Sequence, residues 1–289
     1  MKSSVVYRQI LRKKGNLLRE PIEGTSTEQK KGFTLIELSI VLVIIGLIVA
    51  GVLTGQDLIL AAKIRATTSQ YVSYNTAANA FLNKYNSLPG DLPASTAEAF
   101  GFSYGSGAAG QGDGDGLISG TASMATEEGV LFWAHLYQAN LIPNALTMAP
   151  VGTYAAADIA LPVSIAAAFP LAKLGGGNYF WAGSNIDGFN YYGLSALLTF
   201  NASTTANNLT VNAGLSPIMA YDMDVKIDDG IPNTGIVQSI GTSLPAQTIS
   251  SFAEGGSLNS CTSQAGAAYS ANSTTTAQAP SCNIRLRFN

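Results

Sequence analysis

The sequence predicts an α+β fold, in which a long N-terminal helix precedes a head built on an antiparallel sheet. Residues 33–53 are the one long apolar run of the 289-residue chain. Apolar residues continue at helical spacing to about residue 86, and two later segments, 222–228 and 282–288, alternate between apolar and polar residues. Such a helix followed by alternating strands favours a helix and a sheet that are segregated along the chain.

Charge is scarce and unevenly distributed. Charged residues make up 11% of the chain, less than half of the roughly 25% that is usual for a soluble domain. Residues 1–32 hold eight Lys/Arg and three Glu, a net charge of +5, whereas residues 33–289 hold seven Lys/Arg and fifteen Asp/Glu, a net charge of −8. Nucleic-acid binding needs a basic surface, so this acidic remainder argues against a nucleic-acid partner.

The apolar run is long enough to cross a membrane. It extends over 21 residues from Phe33 to Leu53, and Glu37 is its one ionisable residue. About 20 apolar residues span a bilayer as a helix, and basic residues before a span keep that end in the cytoplasm. A secretory signal peptide would have a shorter apolar region and an A-x-A-like site after it, which the residues after Ala50 do not supply. One span is predicted, with the N-terminus in the cytoplasm and everything after Leu53 outside it.

Glu37 allows two interpretations. Thr34-Leu35-Ile36-Glu37 fits the [ST]-x-x-[DE] capping box that begins a helix. A charged residue inside a membrane span is costly, however, and usually has a function.

The segment KKG-FTLIELSIVLVIIGLIVAGV as a whole resembles the N-terminal signal of type IV prepilins and type II secretion pseudopilins. The resemblance implies that a membrane peptidase cleaves after Gly32 and that Phe33 becomes the N-methylated first residue. It also implies that Glu37 pairs with the N-terminal amine of a neighbouring subunit. Leaders in this family are mostly short, so the 32-residue leader is either genuinely long or reflects a start codon that was assigned too early.

The same resemblance implies the partners and the location. The partners are the prepilin peptidase/methylase, other pilin or pseudopilin subunits and an inner-membrane assembly platform. The precursor would cross the inner membrane once with a periplasmic head, and then enter a periplasmic or cell-surface fibre. Four regions are therefore expected, namely a cleaved leader, a transmembrane helix, the soluble half of the same helix and a globular head: 1–32, 33–53, 54–86 and 87–289.

The long helix should end near residue 86. No proline interrupts the helical pattern before Pro89, and Leu88-Pro89-Gly90-Asp91 is typical of a turn. A helix over residues 33–86 would be about 80 Å long at 1.5 Å per residue.

In the head, Thr126, Glu127 and Glu128 predict the start of a short helix through Asn140. His135 lies in it without an identifiable catalytic partner, so we interpret it as a packing or surface residue, and Trp133 and Trp181 as core residues. Residues 150–220 contain pieces that could be strand or short helix. Asp222–Asp228 and Cys282–Phe288 alternate cleanly, and both predict half-buried antiparallel strands.

Cys261 and Cys282 lie 21 positions apart on the predicted extracytoplasmic side, where disulfides persist. A disulfide across this loop would contribute roughly 3 kcal/mol and resembles the C-terminal disulfide loop of the pilin family. Two separate thiols are the alternative.

Two acidic groups are candidates for calcium. Asp113 and Asp115 lie in the sequence GDGDG, but Leu117 breaks the EF-loop pattern, and Asp-Gly repeats also favour turns. The second group is formed by Asp222, Asp224, Asp228 and Asp229, and the alternation places three of them on the solvent face of a strand. Calcium is therefore a possible cofactor, and none is required.

The function predicted is that of a structural subunit precursor of a type IV pilus or a type II secretion pseudopilus, without enzymatic activity. An adhesin-like binding module on the same membrane anchor is an alternative. An anchored hydrolase is a weaker one, because the sequence has no G-x-S-x-G or H-E-x-x-H motif and only one histidine. The sequence does not distinguish pilus from pseudopilus, or a major from a minor subunit.

Overall fold

The computed structural model describes the following residues: 32–102, 112–118, 128–143, 146, 163–185, 187–201, 208–240, 247–249, 261–262, 268–270 and 280–288. Most of the predicted leader lies outside them. The chain divides into two compact units, the first ending at Val52 and the second beginning at Leu53.

The first helix, α1, runs from Leu35 to Tyr85 over 51 residues, as the helical pattern predicted. It ends where Asn86 adopts a left-handed backbone conformation with φ 54°, which asparagine tolerates better than most residues. The turn that follows carries Gly90 with φ 89°, and a Cβ there would lie 2.2 Å from the Glu128 carbonyl oxygen. The glycine of this turn is therefore required by close packing as well as by its backbone angle.

Four shorter helices follow α1 among the described residues. They are α2 (Ala94–Phe100), α3 (Glu128–Gln138), α4 (Val163–Ala168) and α5 (Pro217–Ile227). The predicted helix over 126–140 is observed as α3; Thr126 and Glu127 lie outside the described residues.

The described strands form one six-stranded antiparallel sheet around a long central strand. The strands are β1 (Asn178–Ser184), β2 (Asn190–Asn201), β3 (Asn208–Asn212), β4 (Val237–Ile240), β5 (Gln247–Ile249) and β6 (Asn283–Phe288). β2 pairs with β1, and successive parts of it pair with β6 and β3. β4 extends the sheet beyond β6, and β5 extends it beyond β3. The α+β class predicted from the sequence is thus confirmed.

The core of the second unit lies between α1, α3 and the sheet. The buried residues of α1 recur at helical spacing, and they are Ile64, Thr67, Tyr71, Tyr74, Ala77, Ala78 and Phe81. The Tyr74 ring meets Trp133 of α3 and Phe180 of β1 edge-to-face, at 4.9 and 5.4 Å between centroids. Tyr71 also donates a 2.9 Å hydrogen bond to the Arg287 carbonyl. Trp133 and Trp181 are fully buried, which confirms their assignment to the core.

The predicted strand over Asp222–Asp228 is wrong, because residues 222–227 lie in α5 and Asp228 is the C-cap of this helix. Ser216 caps this helix, its side chain accepting a 3.3 Å hydrogen bond from the Met219 N–H, and Pro217 occupies the first turn, where proline is favoured. Pro217, Ala220, Met223 and Asp224 are the buried positions of α5, a helical spacing. A strand would bury Val225 on the same side as Met223. In the helix the two side chains point in different directions, and Val225 is 49% exposed.

The C-terminal strand is confirmed as β6, but it is not half-buried. Asn283 and Arg285, expected on a solvent face, are buried. The Arg285 guanidinium lies 4.4 Å from the centre of the Tyr191 ring, and its Nε donates to Gln238 Oε1 at 2.8 Å. β6 lies between β2 and β4, so aromatic and polar partners on the neighbouring strands cover its polar residues.

Substitution of Gly193 by alanine should destabilise the head strongly. A Cβ at this position in β2 would lie 1.9 Å from Cε2 of Trp181, and both residues are in the central sheet. Overpacking of this kind typically costs about 1–3 kcal/mol. The loss of unfolding free energy is measured by urea denaturation of Gly193→Ala, of Trp181→Phe and of the double variant. The smaller Phe ring should make the double variant lose less than the two single losses together; simple additivity would contradict the close contact.

Candidate functional site

The predicted processing junction lies just before α1. Residues Gly32–Thr34 are outside the helix, and the Phe33 side chain is 85% exposed. Helical backbone would have to be unwound before it could enter a peptidase, whereas these three residues are already non-helical. The Gly32–Phe33 peptide bond is therefore presented in an accessible form.

Glu37 closes a capping box with Thr34. Its Oε2 accepts hydrogen bonds from the Thr34 backbone N–H at 2.7 Å and from the Thr34 hydroxyl at 2.8 Å. The Glu37 N–H donates in return to the Thr34 hydroxyl at 3.3 Å. The first of the two interpretations of Glu37, the capping box, is thus observed within the chain. Both bonds to the carboxylate use one oxygen, and a carboxylate has about four acceptor sites in all, so the box does not exhaust its capacity.

The first part of α1 is apolar on every side. Every residue from Gly32 to Thr54 is exposed, including Leu35 at 89% and Leu47 at 70%. Among the described residues, α1 is the one helix that is long and apolar enough to cross a membrane, with a mean hydropathy of 2.8 in its best window. This surface is suited to lipid or to other apolar helices rather than to water.

The Gly-Asp loop is arranged around a carboxylate that the sequence did not single out. Asp91 accepts hydrogen bonds from the backbone N–H groups of Gly114 (2.7 Å) and Gly116 (3.0 Å). Burial raises the pKa of Asp91 to about 6, although the two N–H bonds lower it. Asp113 and Asp115 each accept a hydrogen bond from the backbone N–H two residues later. The loop is therefore a turn whose backbone N–H groups bind the Asp91 carboxylate.

Carboxylates nevertheless come together beside this loop. One oxygen each from Asp91, Asp113 and Glu128 lie within 4.8 Å of one another, a spacing that a hard cation could bridge. Of the two predicted calcium ligands, Asp113 belongs to this group and Asp115 does not.

The second acidic group is centred on Asp224. Its carboxylate is buried and accepts hydrogen bonds from the Tyr269 hydroxyl at 2.9 Å and the Gly230 N–H at 3.1 Å. Asp228 and Asp229 join it within 4.8 Å, whereas Asp222, the other predicted ligand, does not. Burial raises the pKa of Asp224 to about 6, and burial beside this carboxylate also raises the pKa of Tyr269.

The two cysteines are joined. Cys261 and Cys282 form a disulfide, and both are fully buried. The Cys261 carbonyl accepts from the Ser270 N–H, and Cys282 exchanges backbone hydrogen bonds with Leu215. The disulfide therefore ties the segment that carries Tyr269 to the start of α5, which carries Asp224.

His135 has a packing role in the core, as the sequence predicted. Its Nδ1 accepts a 2.9 Å hydrogen bond from the Gly90 N–H, and its ring stacks on Phe81 at 5.9 Å between centroids. It thereby fixes the turn after α1 against α3.

Comparison with known proteins locates the functional signal in the N-terminal segment. Residues 29–53 match the family model of the prokaryotic N-terminal methylation motif. No curated protein and no solved structure matches the chain. The segment therefore carries a type IV prepilin- or pseudopilin-like signal, and Gly32, Phe33 and Glu37 lie inside the matched range.

Sequence reasoning missed Asp91 and Glu128 as members of the first carboxylate group, and Tyr269 as a hydrogen-bond donor to the second; Asp228 and Asp229 belonged to the second group as predicted from the sequence. Asp91 was interpreted as part of a turn, and Tyr269 carried no motif. The available signal for Asp91 was the repeated glycine of the GDGDG loop, since alternate glycine N–H groups can converge on one anion.

Lowering the pH from 7.5 to 5 should stabilise the head through Asp224. Its folded pKa of about 6 exceeds the ordinary value of about 3.9, so the native state takes up a proton in this range and the unfolded state does not. Stability from this group is present at low pH and lost as the pH rises through 6. On lowering the pH from 7.5 to 5, the free energy of unfolding should rise by about 1 kcal/mol more in the wild type than in Asp224→Asn.

Urea denaturation at both pH values, with a chelator present, measures this difference. Carboxylates whose pKa is lowered, such as Asp187 and Asp229, are ionised throughout the range and do not contribute to it. Equal pH dependence in the wild type and in Asp224→Asn would contradict the assignment.

Proposed function

We propose that this chain is the precursor of a pilin-type structural subunit, of a type IV pilus or a type II secretion pseudopilus, that is cleaved after Gly32 and N-methylated on Phe33. The match of residues 29–53 to the methylation motif carries the proposal. It is supported by the non-helical junction at residues 32–34 and by the fully exposed apolar helix that follows. Proteins with this signal are structural subunits rather than enzymes.

The physical role of cleavage is to change the charge at the start of α1. Residues 1–32 carry a net charge of +5, which holds them on the cytoplasmic side of the membrane. Their removal leaves a single amine on Phe33, next to an apolar segment. The segment can then leave the lipid for a fibre made of identical helices. An attached leader that carries eight Lys/Arg would prevent this transfer.

Glu37 is proposed to pair with the Phe33 amine of a neighbouring subunit. Removing a carboxylate from water without a partner is strongly unfavourable, and an ion pair with additional hydrogen bonds is tolerated. Thr34 already supplies two hydrogen bonds to Oε2. The neighbour's amine would supply the charge, so that subunits dock at the one axial position where Glu37 and the amine meet.

The location and partners follow from this sequence of events. The precursor would cross the inner membrane once, with Phe33–Leu53 in the bilayer and the head in the periplasm, where the Cys261–Cys282 disulfide is stable. The prepilin peptidase/methylase would act on the Gly32–Phe33 junction at the cytoplasmic side of this membrane. An assembly platform would then transfer the helix into the fibre.

Processing is tested by mass spectrometry of the chain from cells with and without a prepilin peptidase. With the peptidase, the chain should lose 32 residues and gain one methyl group on Phe33. Gly32→Leu should remain uncleaved, because a side chain at the scissile position obstructs the peptidase. Gly24→Leu, a control within the leader, should be processed normally. An intact Gly32–Phe33 bond in the wild type would refute the proposal.

The two roles of Glu37 can be separated by two substitutions. Glu37→Ala should be cleaved normally but should reduce fibre yield at least tenfold, because the neighbour's amine loses its partner, and breaking a buried pair can cost about 3–5 kcal/mol. Thr34→Val removes the hydroxyl of the capping box but keeps the carboxylate and the backbone N–H that also orients it, so it should assemble. Quantifying sheared fibres by immunoblot measures both. Equal loss in the two variants would show that only the helix cap matters.

A further inference from the structure

Outside the apolar segment, the soluble part of α1 has an exposed face with a distinct composition. Leu58 and Ile59 are 67% and 58% exposed, and Ala62 and Ala66 are exposed at helical spacing from them. Lys63 and Arg65 are also exposed, one at each side of this apolar strip. We call these six residues the basic face. The buried residues of α1 begin at Ile64, on the opposite side of the helix.

A second apolar surface with acidic surroundings lies on α5 and the turn after it. Tyr221, Val225 and Ile231 are 44%, 49% and 42% exposed. They adjoin one another around Gly230, where an added Cβ would lie 2.8 Å from Val225 Cγ2 and 3.3 Å from the Tyr221 ring.

Asp222 and Asp229 carry the negative charge of this surface. Lys226 is the one cation beside them among the described residues of α5, and its ammonium donates to the Asp222 carbonyl at 3.1 Å. Together with the partly exposed Asp228, this stretch of the surface carries three acidic side chains and one basic side chain. We call the surface formed by Tyr221, Val225, Ile231, Asp222 and Asp229 the acidic face.

We propose that the acidic face of one subunit docks on the basic face of a second copy of this chain. The inference rests on the proposed assembly function and specifies where two heads meet. Each face has an apolar centre of exposed side chains, and the charges at their edges have opposite sign. Opposite charges around an apolar centre fix the orientation of docking and disfavour contacts between like faces.

The geometry of such a contact leads to a chain of subunits. The two faces are different surfaces of the same subunit, so each subunit offers one to each of two neighbours. Contacts of this heterologous kind produce rings if the rotation closes and open helical filaments if it does not. A small apolar area is sufficient, because each subunit in a fibre is held by several contacts at once and their effects multiply.

Charge reversal tests the proposal in cells that process the full-length chain. Lys63→Glu/Arg65→Glu should reduce fibre yield at least tenfold while cleavage after Gly32 continues. Adding Asp222→Lys should restore at least a third of the wild-type yield, because opposite charges meet again. Lys84→Glu, a reversal on the same helix outside the basic face, should assemble normally. Normal assembly of the Lys63/Arg65 variant, or a loss that Asp222→Lys does not restore, would overturn the interface.

The rescue step also distinguishes other occupants of the basic face. If Lys63 and Arg65 served lipid headgroups instead, their reversal would reduce yield but Asp222→Lys would not restore it. A wild type that is uncleaved and forms no fibre would overturn the proposed function itself. Fibres that form in the wild type and in every variant would overturn the interface alone.

Crosslinking gives an independent readout. Ala62→Cys and Val225→Cys should be joined between subunits by a short thiol-reactive crosslinker in assembled fibres, giving dimers and longer ladders. Thr76→Cys paired with Val225→Cys is the matched control, since residue 76 is exposed on the same helix about 21 Å further along it. Equal crosslinking of the two pairs would contradict the proposed contact.

Discussion

The dominant physical constraint on this chain is an apolar helix that nothing in the described part of the chain covers. Fifteen Phe, Leu, Ile and Val side chains between Phe33 and Leu53 are more than half exposed. Burying such a side chain is worth about 1.5–3 kcal/mol, so leaving them all in water would cost on the order of 20 kcal/mol or more. This exceeds the 5–15 kcal/mol by which whole domains are stable. The segment therefore needs a lipid bilayer or a set of similar helices around it.

The helix α1 does not end where its apolar surface ends. It continues past Leu53 to Tyr85, even though Gly51 and Gly55 each weaken it by about 1 kcal/mol relative to alanine. Beyond the apolar surface the same helix can bury only one side, and Ile64, Tyr71 and Phe81 mark that side.

The sequence predicted what depends on local pattern and missed what depends on contacts between distant residues. The long helix, the turn at Gly90 and the C-terminal strand follow from periodicity and turn residues. So does the processing segment, because Gly32, Phe33 and Glu37 form one linear motif. The α5 helix was missed because Met223, Val225 and Ile227 alternate as a strand would, and the Ser216-Pro217 start was not used.

The same distinction explains the acidic groups. The polarity of Asp224 predicted an exposed side chain, but the side chain is buried. Its burial is tolerated because Tyr269, 45 positions later, donates a hydrogen bond to it. Asp91 is held by glycines 23 and 25 positions away. Single-residue polarity carries no information about such partners. Asp113, Asp224, Asp228 and Asp229 were therefore singled out from the sequence, whereas Asp91, Glu128 and Tyr269, which accompany them in space, were not.

In the proposed assembly, Glu37 would serve both the single chain and its contact with a neighbour. Cleavage would place a positive amine at the N-terminus of α1, where the helix dipole is already positive and disfavours a further positive charge. Glu37 of the same subunit is engaged with the N–H and hydroxyl of Thr34, and these contacts fix the direction of its carboxylate. A carboxylate that is already ordered loses little entropy when it binds a partner. In the proposed fibre, the Phe33 amine requires an anion and each neighbour offers an oriented carboxylate, so both would favour the same docking position, and the capping box would prepare Glu37 for assembly.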